Sequence, residues 1–288
     1  MKAVLRHELG SYFTSLSGYV FGGFLLLFVG IYTLAYNLQM NYTNFEYVMG
    51  GMSFVFLVIV PILTMRVLAE EKNQKTDQLL YSLPISMTEV VLGKYLAMMV
   101  MLLIPMFIVC VYPLILSAFG NVYLPAAYGA IAGFFFLGAA LIAIGMFVSS
   151  VTESQAVAAG LCFVVMLVNY FLSDLASFVS TSAFASFAAF TAAVVVLMGV
   201  VQGMTKNTTA SLIVGIIGET CLLVPYILDS TKFEGLFPEI MESLSLFERF
   251  YVFVDGQFDI TGIVYYITIA AVFLYLSVQS MEKRRWSE

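Results

Sequence analysis

Long apolar runs separated by short polar connections extend along almost the whole chain. Eight runs of about 17 to 23 residues carry almost no charge, and a helix of that length crosses a hydrocarbon core about 30 Å thick. They cover residues 18–38, 48–67, 95–116, 127–148, 156–172, 183–203, 210–228 and 260–278. A soluble core does not hold so many runs of this length. The pattern therefore predicts an all-α integral membrane protein, a polytopic helical bundle of about eight transmembrane helices.

The cationic residues fall mostly on one side of this predicted topology. Threading the runs alternately across a membrane places ten of the twelve Lys and Arg residues on one side, with only Lys232 and Arg249 on the other. Cytoplasmic loops of membrane proteins carry an excess of Lys and Arg. We therefore expect a multi-pass protein of the cell membrane with both termini in the cytoplasm. The first run is longer than a signal-peptide core and has no convincing cleavage site, so we interpret it as a retained helix.

The composition excludes some partners and chemistries. With 61% hydrophobic and 10% charged residues, the formal charge of −6 gives no reason to expect a nucleic-acid partner. His7 is the single histidine, which leaves no His-based metal site within the apolar runs. We expect no metal site and no cofactor on this chain.

Residues 1–17, before the first run, have an amphipathic pattern of their own. Lys2 and Arg6 lie on a different part of the helical wheel from the apolar positions. Those apolar positions are Leu5, Leu9, Tyr12, Phe13 and Leu16. The spacing predicts a helix that lies in the membrane interface. The alternative is a basic leader that only sets the topology.

The most polar internal stretch, residues 66–94, connects the second and third runs on the predicted cytoplasmic side. The pattern predicts a short helix around residues 76–82, which Pro84 ends. Ser86 then has the position of an N-cap, with Glu89 three residues later. The apolar face of the short helix consists of Leu79, Leu80 and Leu83. Such a face suits a groove on a partner protein, and the alternative is a polar turn whose leucines enter the lipid interface.

Several short motifs together resemble the permease subunits of ABC-2-type transporters, most closely the gliding-motility permease group. The resemblance extends over roughly residues 1–172 and a C-terminal stretch, 256–286. The matching residues are A-E-E-K at 69–72, Thr76, Leu79, Leu80, S-L-P at 82–84, Gly93 with Lys94, and T-E-S-Q at 152–155. Each motif is short, and it is their order and spacing that indicate the family.

The resemblance implies that this chain assembles with other subunits, which perform separate functions. It implies that the segment 76–82 is a coupling helix that docks on a separate ABC ATP-binding subunit, expected in two copies. A second permease, identical or related, and membrane lipid are the other expected partners. The ATPase-coupling residues would be Glu70, Glu71, Thr76, Leu79, Leu80, Leu83, Pro84 and Glu153.

Energy for transport is expected to come from that partner subunit. The sequence has no G-x-x-x-x-G-K-[ST] motif, so we expect no ATPase site and no enzymatic activity on this chain. ATP and Mg would be bound by the partner ATPase. The resemblance implies alternating access through rigid-body movement of the membrane helices, and it implies export as the direction of transport.

The chain departs from the six spans that are common in such permeases. We expect an interfacial connecting helix at 1–17, followed by a transmembrane permease domain at 18–288. Within the permease domain we expect a cytoplasmic coupling-helix loop at 69–90, an added helical hairpin at 177–228 and an extracellular amphipathic segment at 229–258. The role of the added hairpin is left open.

The extracellular segment and one intramembrane acid are candidates for the pathway. In the family, short outer helices re-enter the membrane and close the pathway. Residues 244–250 look similar to these helices. The alternative is an interfacial helix that only shields the helix bundle. Glu219 lies in the seventh run, where a lipid-exposed carboxylate costs on the order of 2.5 to 3.5 kcal/mol. It is either part of a polar path or a paired carboxyl that ties the hairpin to the bundle. The candidate pathway or gate residues are Glu219, Phe237, Met241 and Phe247.

The apolar outer segment and the few intramembrane charges favour a hydrophobic or amphipathic substrate, such as a lipid, drug or peptide. The sequence therefore predicts the permease subunit of an ATP-driven exporter. The alternative from another class is a nonenzymatic membrane scaffold or sensor subunit.

Overall fold

The computed structural model describes residues 1–73, 86–205 and 208–287, and no β-strand occurs among them. Their secondary structure is helical, with short turns between the helices. The helices are α1 (Lys2–Thr14), α2 (Leu16–Thr33), α3 (Glu46–Met52), α4 (Phe56–Thr64), α5 (Ala69–Asn73), α6 (Met87–Val109), α7 (Val111–Ser117), α8 (Leu124–Val151), α9 (Gln155–Tyr170), α10 (Leu172–Phe178), α11 (Ala183–Thr205), α12 (Thr208–Leu228), α13 (Leu236–Leu244), α14 (Leu246–Val254) and α15 (Ile260–Ser287). A π-helical stretch, Leu34–Gln39, continues α2.

Six helical stretches in the described ranges are long and apolar enough to cross a membrane. They are Gly18–Gln39, Glu46–Asn73, Met87–Ser117, Leu124–Val151, Ser211–Leu228 and Ile260–Arg285. Helices α9 and α10 form a seventh if their bend of 53° lies within one span, and Ala183–Gly199 is a shorter apolar helix. The prediction of an all-α, polytopic membrane bundle is confirmed, and a total of about eight spans is consistent with these helices.

The second and third spans reach further into the polar connection than the apolar runs do. The second continues to Asn73, and the third begins at Met87, about two turns before the run that starts at residue 95. The N-cap explains the earlier start, because the Ser86 hydroxyl accepts a hydrogen bond from the Glu89 N–H at 3.2 Å. The capping position predicted from the sequence is therefore present, and it sets the start of α6 where hydropathy does not.

The chain divides into two compact units. The first comprises Met1–Val168 and Arg249–Glu288, and α8 packs there against α3, α4, α6 and α15. Glycines allow these close contacts, since a Cβ atom at Gly138 of α8 would lie 2.8 Å from the Leu102 side chain of α6. The rings of Phe56 and Phe134 stack at 4.2 Å in the same core.

The second unit comprises Asn169–Glu248. Helices α11 and α12 pair antiparallel, as the contacts of Phe187 with Tyr226 and of Thr191 with Glu219 show. Ring contacts connect this hairpin to the segment that follows it. The rings belong to Phe187, Phe190, Tyr226, Phe233 and Phe237.

Candidate functional site

Polar segments that are distant in sequence meet at one end of the first unit. We call this the polar end and define it by residues 1–12, 66–73, 86–94, 149–153 and 280–285. Helix α1 packs against α6 there, and a Cβ atom at Gly93 would lie 3.0 Å from the Val4 side chain. The segments of the polar end are those that the charge pattern predicts to share one side of the membrane.

The A-E-E-K motif is fixed to the end of α8. The Ser149 hydroxyl accepts hydrogen bonds from the N–H groups of Leu68 at 3.2 Å and Ala69 at 3.0 Å. The buried Lys72 ammonium donates to the Ser150 carbonyl oxygen. The two bonds to Ser149 satisfy backbone N–H groups at the start of α5, which a helix cannot satisfy internally. The short helix α5 is therefore positioned by α8.

Lys94 forms the most buried ion pairs of the polar end. Its Nζ lies 2.7 Å from Oε1 of Glu8 in α1 and 2.7 Å from Oε1 of Glu71 in α5. The Lys94 side chain is 3% exposed. A buried ammonium needs such partners, because an unpaired charge in a low-dielectric environment is strongly unfavourable.

Glu70 has a different environment from Glu71. Its carboxylate accepts two hydrogen bonds from the Arg66 guanidinium, at 2.8 and 3.2 Å, one helical turn earlier. The Arg66 side chain is 46% exposed, so this pair contributes little to stability. The two acids of the motif thus pair with different cations, Glu70 with Arg66 and Glu71 with Lys94.

Tyr12 lies beside these charges on α1. Burial raises the pKa of its hydroxyl above the ordinary value, and the neighbouring carboxylate of Glu8 raises it further. Both effects disfavour the tyrosinate anion. Tyr12 therefore contributes a neutral hydroxyl to the polar end.

Glu153, in the T-E-S-Q turn, contacts two parts of the polar end. Its Oε1 accepts a hydrogen bond from Nη1 of Arg284 at 2.9 Å. Its carbonyl oxygen accepts one from the Asn73 side-chain amide at 3.4 Å. Asn73 is the last residue described before the gap at 74–85. The turn therefore contacts both the last helix and the entry to that segment.

The remaining predicted coupling residues lie outside the described residues. They are Thr76, Leu79, Leu80, Leu83 and Pro84. The structure describes the two flanks of their segment instead, α5 before it and Ser86 after it. Both flanks belong to the polar end.

The predicted pathway residues lie in the second unit. Oε2 of Glu219 accepts a hydrogen bond from the Thr191 hydroxyl at 3.3 Å, and its Oε1 is buried with no hydrogen-bond partner among the described residues. The Phe237 ring meets Phe190 edge to face at 5.3 Å. Glu219 and Phe237 therefore contact neighbouring positions of α11.

Of the other two pathway candidates, Met241 lies on α13 one helical turn after Phe237, and Phe247 lies on α14. Phe247 is buried and its ring meets Tyr170 at 5.0 Å. Met241 is half-buried on α13. Phe237 and Met241 thus share one face of α13, whereas the ring contact of Phe247 is with Tyr170.

The second half of α14 is embedded in the first unit. Phe250 and Phe253 are buried, and Phe253 packs against Gly133 of α8. The Arg249 guanidinium lies 4.3 Å from the centre of the Tyr265 ring, a cation–π contact. This part of α14 is packed against helices on several sides.

Sequence reasoning did not single out Glu8, Ser149 or Ser150, and it treated Lys94 only as a topology charge and a motif residue. A signal for Lys94 exists, because an ionisable residue at the edge of an apolar run usually has an opposite charge as partner. Its partners lie 86 and 23 positions away, which no local pattern shows.

A comparison with protein families gives one match. The family model described as ABC-2 family transporter protein matches residues 3–278. The chain belongs to the ABC-2 family. It is a membrane-spanning permease subunit of an ABC transporter, a multi-pass protein whose family implies an ABC ATP-binding subunit as partner. The ABC-2 match includes α11 and α12, the helices beyond the expected six. No curated protein sequence matches the chain.

Proposed function

We propose that this ABC-2 permease exports a hydrophobic or amphipathic substrate, and that the ATP-binding subunit docks on the helix predicted at 76–82. The observation that carries the proposal is the anchoring of both flanks of that segment at the polar end. Helix α5 is bound to α8 through Ser149 and Ser150, and Ser86 caps the helix that follows. A partner that pushes on the segment would act directly on two membrane helices.

The proposed orientation places the polar end in the cytoplasm, where ATP is available. The excess of Lys and Arg in the segments of the polar end supports this orientation in the cell membrane. ATP and Mg would bind to two copies of the ATP-binding subunit. Closure of these subunits would drive rigid-body movement of the membrane helices between two access states.

A second permease, identical or related, would complete the pathway. Helix α2 has room for a close neighbour, because a Cβ atom at Gly22, Gly23 or Gly30 would meet no atom within 4 Å. Small residues of this kind allow helices to approach closely in membranes. We propose that α14, whose second half is packed inside the first unit, closes the pathway on the outer side.

The substrate class is supported by the apolar character of the described spans. A groove with a volume of about 200 Å³ opens between α1, α2 and α6. Its lining includes Gly22, Gly23, Leu26, Met101 and Ile104. Surfaces of this composition suit hydrocarbon chains better than charged solutes. Transport of a highly charged solute by the reconstituted complex would contradict this proposal.

The first experiment is co-purification of the full chain from its native cell in mild detergent, followed by an ATPase assay. We expect an ATP-binding subunit to be recovered with the wild-type chain. The double variant Leu79→Asp, Leu80→Asp should release it, because two carboxylates prevent an apolar face from entering a groove. Ser11→Asp, which adds a charge on the exposed side of α1, is the control and should retain the subunit.

Two outcomes would reject the proposal. Wild-type chain that is folded and monodisperse but has no ATP-binding subunit attached supports the scaffold or sensor alternative. Retention of the subunit by the double variant would move the docking site away from 76–82.

A further inference from the structure

Lys94 lies where three separate segments of the polar end meet. Its ammonium group contacts Glu8 of α1 and Glu71 of α5, both at 2.7 Å, while Lys94 itself belongs to α6. Glu71 lies two residues before the gap at 74–85, and α6 begins just after it. A single cation therefore connects the interfacial helix to both flanks of the proposed coupling segment.

The surroundings of Lys94 make this connection depend on charge. Glu8 and Glu71 are 15% and 24% exposed, and both carboxylates point at the same ammonium group. Without that group two partly buried carboxylates would face each other, and like charges at such distances repel. Removal of Lys94 should therefore separate α1 from α5, whereas loss of an exposed pair would leave the helices in place.

The attachment of α5 to α8 does not involve Lys94. It runs through the hydroxyl of Ser149 and the carbonyl oxygen of Ser150. Movement at the coupling segment thus has two routes into the membrane helices. One leads through the serines to α8, and the other leads through Lys94 to α1 and α6.

We propose that Lys94 is a positioning residue of the coupling apparatus, which makes α1 and α5 move together with α6 when the ATP-binding subunit acts on 74–85. This role rests on the proposed function, since it concerns how movement driven by ATP reaches the interfacial helix. It adds a residue that touches neither ATP nor substrate and acts through Glu8 and Glu71.

The test measures movement of α1 in the assembled complex. Nitroxide labels are placed at Ser11→Cys on α1 and at Thr261→Cys at the start of α15, two exposed positions of the first unit, because α7 continues α6 and would move with it. The background lacks Cys110, Cys162 and Cys221. Pulsed EPR of the complex in lipid nanodiscs then compares the distance distribution without nucleotide and with ATP, Mg and vanadate.

The variants distinguish loss of the ion pairs of Lys94 from misfolding of the chain. Wild type and Lys94→Arg should show the nucleotide-dependent shift, because a guanidinium can also bridge two carboxylates. Lys94→Met should retain the ATP-binding subunit but lose the shift. Lys2→Met removes an exposed cation from α1 and is the matched control, which should keep the shift.

Each further outcome has a defined meaning. A full shift in Lys94→Met would overturn the role of Lys94 while leaving the proposed function intact, as would a wild-type complex that shows no shift. Absence of the ATP-binding subunit from wild type would reject the proposed function itself. If Lys94→Met does not fold, Glu8→Gln replaces it, because it keeps the Lys94–Glu71 pair. A reduced shift in Glu8→Gln then supports the role, and an unchanged shift overturns it.

Discussion

Gly145 of α8 illustrates how single atoms set the packing of this bundle. A Cβ atom there would collide with the Thr64 hydroxyl and lie 2.9 Å from Cβ of Thr64. Thr64 is fully buried, and its hydroxyl donates to the Val60 carbonyl at 2.9 Å, so it has little room to move. The close approach of α4 and α8 therefore requires glycine at this position.

We expect Gly145→Ala to lower the melting temperature in detergent. Overpacking of a dense core costs typically about 1 to 3 kcal/mol. Gly160→Ala in α9 is the matched control, because a Cβ atom there meets nothing within 4 Å. It should leave Tm unchanged or raise it, since alanine favours a helix by about 1 kcal/mol over glycine. Equal shifts in the two variants would contradict the packing argument.

Tyr12 gives a pH-dependent prediction at the same scale. Its pKa is raised in the folded chain, by burial and by Glu8, above the ordinary value of 10.0. The folded state therefore holds this proton more tightly than the unfolded state. The corresponding stability is fully present below pH 10 and is lost as the pH rises through the folded pKa.

The measurement is tyrosinate absorbance as a function of pH, in wild type and in Tyr12→Phe. The difference between the two titrations reports Tyr12, and its midpoint should lie above that of an exposed tyrosine. Tyr123, which is 66% exposed, provides the comparison through Tyr123→Phe. Coincident midpoints would show that Tyr12 is solvated.

At the scale of helices, the sequence predicts those features that depend on local pattern. The N-terminal segment forms a helix, α1, which ends at Thr14 and not at residue 17, and Ser86 caps α6 as its spacing with Glu89 indicates. The bend of 53° at Phe171 lies at the end of the fifth apolar run, just before Ser173 and Asp174. The end of the run indicates where the apolar helix stops, but without Pro or Gly at this point it does not predict a bend. Hydropathy reports which residues avoid water, whereas a bend depends on what the helix packs against.

The cap of α6 gives a prediction at this scale. Ser86→Ala removes the hydrogen bond to the Glu89 N–H, and loss of such a cap costs about 1 kcal/mol. Hydrogen exchange should therefore become faster for the first amides of α6. Ser117→Ala is the control, because the Ser117 hydroxyl only donates to the Leu114 carbonyl at the end of α7. Unchanged exchange at α6 would show that packing alone holds its first turn.

At the scale of the whole molecule, apolar runs and charge counts predict a polytopic membrane protein. They do not predict the contacts that form the candidate site. Eight runs of nonpolar residues suffice for a polytopic bundle, since backbone polar groups in lipid must be satisfied within helices. The contacts of Lys94 with Glu8 and Glu71 require three separate segments to be placed in space. For Glu219 the sequence allows either a polar path or a paired carboxyl that ties the hairpin to the bundle. Its hydrogen bond with Thr191 places the carboxylate against α11.

The orientation of the whole chain in the membrane is the last prediction. The charge distribution predicts a cytoplasmic polar end, so Ser11 should face the cytoplasm and Ser117, the last residue of the third span, should face the outside. A membrane-impermeant maleimide applied to intact cells should label Ser117→Cys and leave Ser11→Cys unlabelled, in a background without the native cysteines. Permeabilised cells are the control, because both positions are exposed on the protein and both should then react. Labelling of Ser11→Cys in intact cells would place the polar end outside, away from ATP, and a coupling role for Lys94 and the segment 74–85 would then be excluded.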